Sequence, residues 1–308
     1  MTKKALRGSY RIVAVNKIAP DIVEMRISAP EIARIASPGQ FVNVYLPGGE
    51  MLLPRPICIA DAADDSVTLV FAVVGKGTEA LSRFAGGQYI ELMGPLGTGF
   101  FDYPGSPTAD SLPDDSLPDD SLPVDSLPDD SLPDVSAARP GPAEVLLIGG
   151  GTGVAPLYFA ARKLESIHVD RLKRTACLGF SVEPWYTDDL KRVCDEVLIG
   201  SETEGMAAFH GNVIELLDTM YNSDNKHKSD ITKKPVLALA CGPRPMLAAA
   251  AKWCETRDIP LRVSLEERMG CGYGACAGCS VNTPAANGII KKKVCVHGPV
   301  FWANEVLW

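Results

Sequence analysis

Between residues 8 and 100 apolar and polar positions alternate in short runs. Val42-Asn43-Val44-Tyr45-Leu46 and Val67-Thr68-Leu69-Val70-Phe71 are two of them, each bounded by Gly, Pro or Asp clusters. Alternation with period two predicts half-buried strands, and their regular spacing predicts a barrel. From Glu144 the rhythm changes. Val145-Leu146-Leu147-Ile148 is the continuous apolar run of a strand covered on both faces, followed by a glycine turn and a helical stretch from Pro156 to Leu164. Further strand-like runs at Thr175–Phe180, Glu196–Ile199 and Val236–Ala240 alternate with helical stretches. Strands alternating with helices predict a parallel sheet with crossovers. The expected organisation is β plus α/β: a β-barrel over 1–104, an insertion over 105–142, an α/β domain over 143–263 and a small Cys- and Gly-rich module over 264–308.

The insertion differs in kind. Asp-Ser-Leu-Pro-Asp recurs in tandem from Asp110 to Asp134, once with Val124 in place of Asp. A five-residue period matches neither helix nor strand, and Pro in every unit blocks both. This composition cannot bury a core, which favours a solvated, disordered insertion over an acidic docking segment. The repeat also explains the charge. Nine Asp residues fall within it and no Lys or Arg, so the formal −8 of the 308-residue chain is almost all local. The nearly neutral remainder gives no footing for nucleic acid. Met1 to Arg11 lacks the apolar core of a signal peptide, and no run approaches the roughly 18 apolar residues of a membrane span. The expectation is a cytoplasmic protein without a membrane partner.

Nine cysteines are present, an odd number that argues against a secreted disulfide framework. Cys58, Cys177, Cys194, Cys241 and Cys254 are scattered, whereas Cys271-x4-Cys276-x2-Cys279 is followed by Cys295. That spacing is the plant-type 2Fe–2S pattern. Three thiolates on one short loop must converge, and Gly270, Gly272, Gly274 and Gly278 supply the backbone freedom for it. A structural zinc site is the rival, although zinc usually draws its cysteines from two short knuckles.

Two turns suit a nucleotide. Gly149-Gly150-Gly151-Thr152-Gly153-Val154-Ala155-Pro156 follows a strand and opens a helix, where small residues and a helix N-terminus favour a pyrophosphate. It departs from G-x-G-x-x-G, and the plain alternative is a tight strand–helix turn. Cys241-Gly242-Pro243-Arg244-Pro245-Met246 follows a second strand, at the carboxyl edge where open sheets bind ligands; alternatively Cys241 is a small buried residue. In the first domain, Arg55-Pro56-Ile57-Cys58 offers a fixed cation and Val74-Gly75-Lys76-Gly77-Thr78 a loop able to hold phosphate. Both patterns also occur as ordinary surface turns.

Together these residues resemble the ferredoxin–NADP reductase superfamily, an FAD-binding barrel before a nicotinamide-binding α/β domain. Arg55-Pro56-Ile57-Cys58 looks like its R-P-x-S flavin motif, and Gly77-Thr78 like the end of its G-x-G-T loop. The segments Leu265 to Cys279 and Val294 to Phe301 narrow the resemblance to the electron-transfer subunit of class 1B dihydroorotate dehydrogenase. That resemblance implies FAD held by Arg55, Pro56, Ile57, Cys58, Val70, Phe71, Ala72, Gly77 and Thr78. It implies NAD at Gly149, Gly150, Gly151, Thr152, Gly153, Pro156, Gly242, Pro243 and Met246, with Cys241 catalytic, and a 2Fe–2S cluster on the four clustered cysteines. The implied partner is an FMN-containing catalytic subunit, two copies of each chain, with electrons running from FMN through the cluster and FAD to NAD+ in pyrimidine synthesis. The reductase subunit of a hydrogenase or of an electron-bifurcating NAD(P)H–ferredoxin complex would share every motif. Two positions depart from the pattern: Cys58 stands where Ser is usual, and His297 where Asp is common before Gly-Pro-Val-Phe. The superfamily places the adenosine end near Ser181-Val182-Glu183-Pro184 and Gly200-Ser201-Glu202-Thr203-Glu204. Neither loop carries a cation for a 2′-phosphate, so NAD(H) is expected over NADP(H).

Overall fold

The computed structural model describes residues 5–48, 51–102, 143–166, 172–181, 183–221, 234–286 and 288–308. The Asp-Ser-Leu-Pro repeat and Val182 lie outside these. Six antiparallel strands form the first unit: β1 (Leu6–Ala19), β2 (Ile22–Ser28), β3 (Phe41–Tyr45), β4 (Arg55–Ala63), β5 (Ser66–Ala72) and β6 (Tyr89–Leu96). They close into a barrel in the order β1-β2-β5-β4-β3-β6. Hairpins β1–β2 and β4–β5 turn on Asp21 and Asp64, both left-handed (φ 56° and 53°), a conformation Asp tolerates. Alternation fills the interior with Ile12, Met25, Ile27, Val42, Val44, Ile59, Leu69 and Leu92, all buried. Strand β3 is buried on both faces. Val42 and Val44 point inward, while Phe41 packs into a second core outside the barrel and Asn43 is fully buried.

The second unit is a seven-stranded sheet, ordered β10-β9-β8-β7-β11-β12-β15. Its parallel strands are β7 (Ala143–Gly150), β8 (Leu172–Phe180), β9 (Glu196–Ser201), β10 (Phe209–His210), β11 (Leu237–Cys241) and β12 (Leu261–Ser264). Helices α3 (Val154–Ser166) and α4 (Thr187–Val193) share one apolar core, and α5 (Val213–Tyr221) and α6 (Arg244–Glu255) another. Two short helices, α1 (Pro30–Ala33) and α2 (Lys76–Ser82), decorate the barrel. Among the described residues no helix is long and apolar enough to cross a membrane.

The last segment is not a free-standing module. After the cysteine loop come a hairpin, β13 (Ser280–Ala285) and β14 (Gly288–Lys293), then α7 (Val294–His297) and β15 (Val300–Trp302). Strand β15 pairs antiparallel with β12, Val263 opposite Phe301, and adds an edge to the seven-stranded sheet. Three residues are too few to show a period, so this strand escaped the sequence pattern.

Polar ties join barrel and sheet. Arg162 on α3 bonds to Asp61 on β4, and the Tyr186 hydroxyl donates to the Glu24 carboxylate at 2.7 Å. Arg262 on β12, almost fully buried, donates to the carbonyls of Phe100 (2.7 Å) and Asp102 (3.1 Å).

Candidate functional site

The carboxyl ends of β7 and β11 lie side by side, Gly149 opposite Cys241, which brings the two glycine-rich turns together. Gly153 is the contact point. A side-chain carbon there would overlap the Cys241 carbonyl and come within 2.6 Å of the Gly242 nitrogen. Only glycine lets these backbones touch. Met246 on α6 packs against both Gly150 and Gly242, and α3 opens directly after Gly153, so its N-terminus lies at this edge of the sheet.

On the barrel side, the Arg55 guanidinium lies directly against Gly77 and donates to the Leu53 carbonyl at 2.9 Å. The Thr78 hydroxyl accepts from the N–H groups of Val74 (3.0 Å) and Gly75 (3.2 Å) and donates to the Gly75 carbonyl. The structure therefore joins the two barrel motifs into one corner. Strand β5 ends beside the Gly151–Gly153 turn. Phe71, however, points into the barrel core and leaves only its backbone to the cleft.

Cys58 on β4 pairs with Phe41 on β3, Cys241 ends β11, and Glu266 follows β12 by two residues. Burial pushes the Cys58 thiol up to about 12, with the Glu266 carboxylate adding to it. Burial likewise holds Cys241 well above the ordinary thiol range, helped by Cys58 and Glu266 and opposed by a hydrogen bond to Ser264. Both are neutral thiols at physiological pH, which offer shape and a weak donor rather than a nucleophile. Solvent reaches Glu266, yet the surrounding protein raises its carboxyl by desolvation, against a hydrogen bond with Thr152. Glu266 lies in the Leu265–Cys279 segment that carried the resemblance but was given no role there; its place just past a parallel strand, at the carboxyl edge, was the signal available.

The neighbouring Glu267 accepts from Arg244 at 2.9 Å, so consecutive carboxylates bond to the two glycine-containing turns. Four residues later the cysteine loop begins. Cys271 and Cys276 form one pair, the Cys276 N–H donating to Cys271 Sγ at 3.3 Å; Cys279 and Cys295 form the other, their sulfurs 3.3 Å apart. Two pairs suit two irons better than one tetrahedral zinc. Burial raises Cys271, but the backbone N–H groups of Tyr273, Cys276 and Ala275 outweigh it and bring its thiol down to about 7. These donors stabilise sulfur carrying negative charge. The loop is seated on the barrel: Asn43 Nδ2 donates to the Cys271 carbonyl at 2.7 Å, and Gly272 (φ 73°) presses so close that a side chain would strike Asn43.

Residues 266–307 match the family model for the iron–sulfur cluster binding domain of dihydroorotate dehydrogenase B. A Desulforamulus reducens protein, dihydroorotate dehydrogenase B (NAD(+)), electron transfer subunit, is 34% identical over 97% of each chain. The chain belongs to this family. Another electron transfer subunit, from Caldanaerobacter subterraneus subsp. tengcongensis, is 28% identical over 97% of each chain. Among solved structures, an NADH-dependent reduced ferredoxin–NADP oxidoreductase superposes with a TM-score of 0.71 at 27% identity, over 97% of this chain and 90% of that one. A Neisseria gonorrhoeae ferredoxin NADP+ reductase with bound FAD and NADP (TM-score 0.54, 15% identity, 81% of this chain and 91% of that one) shares the fold.

In this member of the electron transfer subunit family, the loops after β8 and β9 do meet. The Thr203 hydroxyl donates to the Ser181 carbonyl at 2.9 Å, and the Glu202 N–H to Phe180 at 3.0 Å. A cavity of about 550 Å³ beside them is lined by Glu183, Pro184, Ile199, Met206 and Phe209 among others, and no Lys or Arg lines it among the described residues. His297 flanks the cysteine loop, its Nδ1 accepting from the Lys293 N–H at 3.0 Å.

Proposed function

We propose that this chain relays electrons from an FMN-containing dihydroorotate dehydrogenase catalytic subunit to NAD+, assembling as two copies of each subunit. When bound, the 2Fe–2S cluster supplies one-electron chemistry, FAD exchange between one and two electrons, and NAD+ a hydride acceptor. Cys271, Cys276, Cys279 and Cys295 would hold the irons. The paired thiols and inward N–H groups fit that role. Arg55, Pro56, Ile57, Cys58, the backbone of Val70–Ala72, Gly77 and Thr78 would hold FAD. Gly149–Gly153, Pro156, Gly242, Pro243 and Met246 would hold the nucleotide, with Cys241 packing at the reacting end and Glu266 supplying a carboxyl near neutral Cys58. Glu202 and Glu204 favour a ribose hydroxyl over a phosphate, supporting NAD(H).

The observation that carries the reading is the meeting of four parts at one cleft: both nucleotide turns, barrel strand β4 and, through Glu266, Glu267 and Asn43, the cysteine loop. Visible and electron paramagnetic resonance spectra of the purified protein test the cofactors. Orotate-dependent NADH oxidation with the catalytic subunit tests the reaction. A colourless protein, or one inactive with that partner, refutes the proposal. A second reading, the reductase subunit of a bifurcating complex, draws support from the likeness to the ferredoxin–NADP oxidoreductase. Turnover with NADPH equal to or better than with NADH would favour it.

A further inference from the structure

We propose that Lys293 sets the reduction potential of the iron–sulfur site by clamping and polarising the peptide between Gly274 and Ala275, an inference that rests on the two-iron reading above. Lys293 ends β14 and is half-buried, and its Nζ donates to the Gly274 carbonyl at 2.7 Å. That carbonyl and the Ala275 N–H belong to the same peptide plane, and the Ala275 N–H bears on Cys271 Sγ. The N–H of Gly274 itself bears on Cys295 Sγ. One ammonium therefore fixes a dipeptide whose two N–H groups serve sulfurs from both cysteine pairs. A cation on a carbonyl strengthens the donor at the far end of the same peptide, because hydrogen-bonded dipoles in series polarise one another. It also places a fixed positive charge where solvent screens it incompletely. Both effects favour the form carrying one more electron, and hydrogen bonds to sulfur are an established lever on cluster potential.

The geometry around Lys293 is built for this placement. Its own N–H donates to His297 Nδ1 at 3.0 Å, which fixes the base of the side chain. Gly274 is lodged so close to Val296 on α7 that a side chain would come within 2.7 Å of a Val296 methyl. The adjacent lysines do something else. Lys292 is paired with Glu305 at 3.0 Å, and Lys291 is exposed.

The test is a redox titration of the cluster followed by electron paramagnetic resonance, in wild-type protein and in Lys293→Gln, Lys293→Met, Lys293→Arg and Lys291→Met. Gln can still donate to the Gly274 carbonyl but carries no charge, so it separates polarisation from simple anchoring. The neutral variants should shift the reduction equilibrium about tenfold toward the oxidised form, which is ~59 mV for a one-electron couple. Lys293→Arg and Lys291→Met should stay within about twofold of wild type, below ~20 mV on the same scale. Native potentials in both neutral variants overturn the inference. Should neither neutral variant load a cluster, Lys293→Arg decides. Loading with a native potential upholds the role of the charge, and failure to load marks Lys293 as scaffold only. A wild-type protein without a cluster signal overturns the two-iron reading itself.

Discussion

Asn43→Ala isolates the bond that seats the cysteine loop on the barrel. The Asn43 side chain is fully buried, its Nδ2 donates to the Cys271 carbonyl at 2.7 Å, and its Oδ1 has no hydrogen-bond partner among the described residues. Removing the amide orphans the Cys271 carbonyl, a cost of about 1–3 kcal/mol. The same change removes a buried orphan oxygen, whose desolvation offsets about 1 kcal/mol of that cost. The net is on the order of 0–2 kcal/mol, centred near the ~1 kcal/mol that one buried hydrogen bond contributes. Since about 1.4 kcal/mol is a factor of ten, ~1 kcal/mol makes loop opening roughly fivefold more frequent. The assay is chelator-driven bleaching of the cluster absorbance, with flavin content followed in parallel. Bleaching should accelerate several-fold while flavin stays bound. A native bleaching rate, or flavin and cluster lost together, would refute the seating role.

Gly153→Ala drives a methyl onto the Cys241 carbonyl; overpacking of about 1–3 kcal/mol predicts a KM for NADH raised about tenfold or more in dye-reduction assays, with flavin and cluster spectra unchanged. Cys276→Ser should remove the cluster absorption and its reduced-state resonance signal while most FAD remains, and a normal signal would take Cys276 out of the ligand set. In protein stripped of its irons, alkylation of Cys271 should rise as pH passes through about 7, because its lowered thiol is largely thiolate above that value. Cys58 and Cys254, both pushed up to about 12 by burial first of all, should stay inert over the same range, as mass spectrometry of the labelled peptides would record.

Spacing made the cysteine quartet legible, because ligands on a short loop are constrained locally. The barrel and the parallel sheet were legible for the same reason: Val42 and Val44 against Asn43, or the run Val145 to Ile148, carry their burial in a local period. What stayed hidden is tertiary. Asn43 is the polar member of an alternating run, yet it is fully buried because a loop more than 200 residues away covers it. Glu266 owes its raised carboxyl to desolvation by protein around it, against an opposing hydrogen bond from Thr152, and no linear pattern describes that surrounding. Phe71 stands in the run that the resemblance assigns to flavin; strand parity turns its side chain inward and leaves its backbone for that role.

Strand β15 has a consequence for how electrons can travel. Because β12 enters the cysteine module and β15 leaves it, and the two are hydrogen-bonded neighbours, the module is a loop inserted within one sheet. Both of its ends are stitched to the seven-stranded sheet, and Asn43 fastens its first cysteine to the barrel. It is a soldered junction, not a carrier arm that ferries charge between docking positions. Transfer between its metal site and the cleft is therefore set by a fixed separation and should be indifferent to solvent viscosity. For the same reason the module is no detachable cassette: cutting the chain after Ser264 would strip the edge from β12 and leave Val263 and Arg262 without the strand that covers them.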